Sequence, residues 1–128
     1  MRIVAGLFLA FFILGCAPKP AQFQTTFEIL IKTKQLKYND KCFISKFDDN
    51  LKLQIYNAGI VLVELEIYDD KICKNYMCMS SKEFNEQNFG ENYKDDFLKN
   101  ILEDALKSDV NFEDKENKIK IEITKDEI

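Results

Sequence analysis

From residue 23 the chain alternates between apolar and polar positions. Phe23, Thr25, Phe27, Ile29 and Ile31 fall on one side, and Gln24, Thr26, Glu28 and Lys32 fall mostly on the other, with Leu30 the exception. Successive side chains leave a strand on opposite sides, so a period of two predicts a β-strand with one apolar face. Residues 36–38 start a second candidate, interrupted by Asn39-Asp40, and residues 42–47 form the next. After the turn cluster Asp48-Asp49-Asn50, Leu51, Leu53 and Ile55 alternate with Lys52, Gln54 and Tyr56. Asn57-Ala58-Gly59 breaks the pattern, with Gly suited to a positive φ. Residues 60–68 are the most apolar strand, with Val61, Val63, Leu65 and Ile67 assigned to one face against Glu64 and Glu66. Two short strands, 71–74 and 77–80, follow Asp69-Asp70.

The period changes at Ser80. Ser80 or Ser81 followed by Glu83 reads as the cap of a short helix over residues 82–88, ended by Gly90. A second helix is predicted over 93–107, where Tyr93, Phe97, Ile101, Leu102, Ala105 and Leu106 make one stripe. Asp95 and Asp96 in its first turn and Lys107 in its last suit the helix dipole. Residues 108–117 read as a polar connection. Ile119, Ile121 and Ile123 mark a closing strand.

The predicted fold class is therefore α+β: an antiparallel β-sheet, an open half-barrel of about six to seven strands, covered by one or two helices. A helix over 93–107 would be only about 22 Å long, so incomplete cover of the inner face is expected. Phe27, Ile29, Ile31, Leu53, Ile55, Val61, Val63, Leu65, Phe97 and Ile101 have two readings, as plain core or as the lining of an apolar cavity. Ile60, Tyr76 and Met77, beside or within turns, are candidate exposed contacts.

The first residues place this domain. Arg2, an uncharged run over residues 3–14 and the small Gly15 have the three parts of a secretory signal. The run spans about 18 Å, short of the ~30 Å hydrocarbon core of a bilayer. Ile13-Leu14-Gly15-Cys16 resembles a bacterial lipobox. That resemblance implies cleavage before Cys16, a diacylglyceryl group on its thiol and often a further acyl chain. Two or three chains anchor a protein where one does not. The expected organisation is a signal peptide over 1–15, the lipidated Cys16 and a proline-containing tether over 16–22, and a single domain over 23–128. Ala17 is not the Asp that resembles an inner-membrane retention signal, so the expected site is the outer membrane, facing the periplasm.

Charge and cysteines narrow the function classes. The chain has 18 basic and 22 acidic side chains, a balance that argues against nucleic acid as a partner. Seven Lys against four acidic residues occupy 17–56, whereas seven against twelve occupy 91–128. The sequence contains no His, which removes the commonest general base and metal ligand. The acidic pairs Asp48/Asp49, Asp69/Asp70, Asp95/Asp96 and Glu103/Asp104 read as solvated charges. No catalytic, metal or cofactor site is assigned, and the expectation is a non-enzyme. Cys73 and Cys78 flank four residues; with a hairpin turn between them they face each other across two strands, within disulfide range. They read as a structural staple, because a redox pair favours a Cys-x-x-Cys spacing. Cys42 is left unpaired.

The strand Phe27-Glu28-Ile29-Leu30-Ile31-Lys32-Thr33, the strand and turn Leu51-Lys52-Leu53-Gln54-Ile55-Tyr56-Asn57-Ala58-Gly59, and residues 60–68 together resemble the small LolB/LolA-like lipoproteins of Gram-negative bacteria. The resemblance covers about half of the chain after Cys16. It implies an open half-barrel over helices with an apolar cavity, and a ligand that is an acyl chain or an acylated lipoprotein. The alternative is an envelope scaffold or adhesion lipoprotein with a closed β-sandwich core and a protein partner. In both readings the anchor makes the membrane a partner.

Overall fold

The structure is a computed structural model that describes residues 23–126. The expected signal peptide over 1–15, Cys16 and the expected tether lie outside the described residues. The element order is β1 (Phe23–Lys32), β2 (Lys37–Lys46), β3 (Leu51–Asn57), β4 (Ile60–Ile67), β5 (Lys71–Lys74), β6 (Met77–Ser80), α1 (Ser81–Asn88), α2 (Phe97–Lys107), β7 (Val110–Asp114) and β8 (Ile119–Lys125). Among the described residues, the strands form one open antiparallel sheet in the order β6-β5-β4-β3-β2-β1-β8-β7. The fold is α+β, an open sheet with helical cover.

Register brings the predicted apolar faces together. Phe27 lies opposite Cys42, Cys42 opposite Ile55, and Ile55 opposite Val63. Ile29 and Ile31 lie opposite Ile123 and Ile121 on β8. Directly opposed side chains share a face, so these rows build one continuous apolar surface. The helices cover it. Leu98, Ile101, Leu102 and Ala105 of α2 recur at helical spacing and are buried, as is Phe84 of α1. Each fully buried Leu, Ile or Phe stabilises the fold by about 1.5–3 kcal/mol through removal from water. α1 follows β6 and α2 precedes β7, the two outermost strands, so the helical segment connects one edge of the open sheet to the other.

Sequence and structure differ at four places in the extent and number of elements. The strand count is eight, against six to seven. The candidates around Asn39-Asp40 are one strand, β2, because β1 supplies ladder partners to both residues: Leu30 pairs with Asn39 and Ile29 with Asp40. The connection 108–117 contains β7, whose Val110 and Phe112 pair with Ile123 and Ile121; two apolar positions among charges were too few to mark it. The second helix begins at Phe97, not at residue 93. Tyr93 instead joins Phe89, Phe97 and Phe112 in a cluster of rings at 4.5–6.3 Å between centroids.

The capping reading of α1 agrees with the structure: the Ser80 hydroxyl accepts from the Glu83 N–H at 3.1 Å. Tyr93 donates its hydroxyl to Asp114, which also accepts from Asn117 Nδ2 at 2.8 Å. These bonds tie the approach to α2 to the β7–β8 turn.

Candidate functional site

The described apolar residues divide into a packed interior and a small exposed group. Phe27, Ile29, Ile31, Leu53, Ile55, Val63, Leu65 and Ile101 are all buried in one core cluster, and Phe97 is packed against it. The surface recesses are lined largely by polar side chains. One of about 360 Å³ is bounded by Glu28, Asn39, Asp40, Lys41, Tyr56, Asn57 and Ala58; another of about 310 Å³ lies among the turns that carry Asp48, Asp49, Asp69 and Asp70. Among the described residues no group of three or more acidic or Cys side chains could hold a metal ion.

The exposed group consists of Ile60, Val61, Leu62, Tyr76 and Met77, at 67, 50, 44, 81 and 77 % exposure. Val61 is therefore a correction: alternation along the strand places it on the buried face with Val63, and the structure exposes it. Between β3 and β4 the register shifts, so that Ile55 faces Val63 but Tyr56 faces Val61. Leu62 is the extra residue of a β-bulge. One added residue reverses the faces on one side of it, and Val61 falls opposite Tyr56, outside the core. Leu62 has no place in the period-two reading. Its sequence signal was the unbroken apolar run Ile60-Val61-Leu62-Val63, which has no period of two.

Local chemistry builds both tips. Ala58 and Gly59 have φ of 52° and 79°, the pattern of a two-residue hairpin turn with both central residues left-handed. A Cβ on Gly59 would meet nothing within 4 Å, so backbone conformation rather than space favours glycine there. Asn75 and Tyr76 repeat the pattern at 49° and 71°. Asn tolerates this region, whereas a bulky Tyr in it is an outlier. The fold holds it there. Asn75 N–H donates to Glu64 O at 2.9 Å, and Asn75 Oδ1 accepts from Glu64 N–H at 3.0 Å. Cys73 and Cys78, directly opposite on β5 and β6, are joined by a disulfide. Lys52 bridges Glu64 at 3.0 Å, and this bond is the main reason its ammonium titrates above the usual Lys value. The two turns thus present apolar side chains on fixed backbone.

Among the described residues, the feature this arrangement gathers is a set of exposed apolar side chains. What it can do is remove apolar side chains from water against something else. Strand direction gives it an orientation. β1 starts at Phe23 beside the end of β2, and the β3–β4 and β5–β6 turns lie toward the other end of the sheet. No family model, curated protein or solved structure matches this chain.

Proposed function

We propose that this chain is a non-enzymatic interaction lipoprotein, held by an acylated Cys16 at a bacterial outer membrane and presenting its two apolar hairpin tips to an envelope partner. One observation carries this reading: Ile60, Val61, Leu62, Tyr76 and Met77 stay exposed while the rest of the apolar face is packed. Isolated exposed apolar residues are ordinary, but a group on two adjacent turns marks a contact surface. The backbone bonds between Asn75 and Glu64 support it further, since a tip fixed before binding loses less freedom on docking.

The test is a photo-crosslinking residue in place of Tyr76 in the full chain, expressed in cells. A discrete protein adduct is expected, and it should disappear with Leu62→Lys. A crosslinker at Tyr76 that captures no more than one at Lys82 would sink the reading. Mass spectrometry of the mature protein should find acyl groups on Cys16.

A second reading follows from the resemblance to LolB/LolA-like lipoproteins, in which the ligand is an acyl chain or another lipoprotein. The same exposed tip favours it, because the candidate cavity residues other than Val61 are packed and a ligand would sit on the turns. Depletion should then leave lipoproteins in the periplasm; normal sorting without the protein eliminates this role.

A further inference from the structure

We propose that Met77 is a site of oxidative modification, where conversion to the sulfoxide by a peroxide blocks docking of the tip. The inference rests on the interaction reading above and names how that same surface is regulated. It starts from the sulfur atoms. The described residues include Cys42, Cys73, Cys78, Met77 and Met79. Cys42 has no exposed surface, and burial keeps it in the thiol form, which is the unreactive one. Cys73 and Cys78 are joined, and a disulfide is already an oxidation product of its thiols. Met79 is partly buried and packs against the core. Met77 is 77 % exposed. Among the described residues it is the unoxidised sulfur that stands open to solvent.

The ladder explains why two Met of one short strand differ so much. Met77 and Met79 are two positions apart on β6 and leave it on the same side. Met79 lies opposite Ile72, which is buried, whereas Met77 lies opposite Lys74, at the last rung before the turn. The core ends between those two rungs, and Met77 falls beyond it, beside the exposed Tyr76. The backbone there is held independently of the Met77 side chain. Asn75 bonds twice to Glu64, and the disulfide occupies the rung between Met77 and Met79. Oxidation of Met77 therefore changes the chemistry of the tip and leaves its backbone in place.

The step is a two-electron oxygen transfer. A lone pair on Met77 Sδ attacks one oxygen of hydrogen peroxide. An S–O bond forms as the O–O bond breaks, and the second oxygen takes the proton of the first and leaves as water. The sulfur is oxidised, the peroxide is reduced, and no other reactant is needed. The product is a polar side chain in place of a flexible apolar one. A partner covering the tip would have to bury the sulfoxide oxygen, and an unmatched buried polar group weakens a contact by about tenfold or more. A bound partner shields the sulfur, so the reaction belongs to the free chain and prevents its docking.

The experiment has two readouts. The purified, acylated full chain is treated with dilute hydrogen peroxide, and fragment-ion mass spectrometry of its peptides locates the added oxygen. One oxygen is expected on Met77, with Met79 unmodified until denaturant is present and far-UV circular dichroism unchanged. In cells carrying the crosslinker at Tyr76, peroxide given before irradiation should lower the adduct yield about tenfold. The yield from Met77→Leu should be the same with and without peroxide. Met77→Gln, with a polar end, should give about a tenfold lower yield than Met77→Leu without any peroxide. Oxygen arriving on Met79 as fast as on Met77 overturns the proposal, as does an adduct that survives both oxidation of Met77 and Met77→Gln. Equal loss of adduct in Met77→Leu on peroxide treatment also overturns it, because the sensitive group then lies elsewhere. An adduct that is present but insensitive to Met77 leaves the interaction reading standing. No Tyr76 adduct in untreated cells sinks that reading, and the proposed block of docking falls with it.

Discussion

Cys42 sits in the centre of the sheet with no exposed surface, opposite Phe27 and Ile55. Burial pushes its thiol up to about 12, because the thiolate would lose its water. The reactive species is the thiolate. Iodoacetamide at pH 8 should therefore leave Cys42 unmodified in the native protein and label it fully in denaturant. Labelling without denaturant would mean an open core. Tyr93 gives a second test at this scale. Its pKa is raised from 10.0 to about 12, by burial first and by Asp114 next. The folded value lies above the unfolded one, so this contribution is complete below pH 10 and lost as pH rises toward 12. Asp114 is held below its usual 3.8, chiefly by the Tyr93 hydroxyl, and its contribution disappears as pH falls below that value. Urea titrations should find stability falling between pH 10 and 12, and Tyr93→Phe should flatten that limb. Residue identity alone did not announce this pair, because Tyr93 and Asp114 are 21 positions apart.

At the scale of elements, turns and staples decide how firmly the tips are held. The disulfide closes a loop of only a few residues, so its effect through the unfolded chain is about 2 kcal/mol. Replacing Cys73 and Cys78 together by Ser should lower unfolding free energy by about that amount, read from urea midpoints, and leave the strand content unchanged. Gly59→Ala should cost about 1 kcal/mol, since φ of 79° is strained for any residue with a Cβ. A neutral result would mean that the turn can change type. The period-two pattern located β1, β3 and β8 because each has three or more inward apolar positions in strict alternation. It missed β7, with two, and on β4 it found the strand but gave Val61 the wrong face, because Leu62 interrupts the count. Bulges and ladders are properties of a strand and its neighbour, and a pattern read along one strand does not contain the neighbour.

For the whole molecule, one core joins both helices to the sheet. A single interior of this size predicts one cooperative transition. Far-UV circular dichroism and the exposure of Cys42 should lose their native values at the same urea concentration; two separated midpoints would show that the helices and the β7–β8 hairpin come away independently. The sequence by itself determined the α+β class, most strands, both helices, the α1 cap, the facing of Cys73 and Cys78, and Ile60, Tyr76 and Met77 as contact candidates. Those features depend on side-chain period, turn chemistry and local spacing, which are written along the chain. Only the tertiary structure decided that the other candidate cavity residues are packed, that Val61 leaves the core, and that Leu62 bulges from β4. Each depends on which surfaces meet and how far each strand extends beside the next, and those are relations between segments distant in sequence.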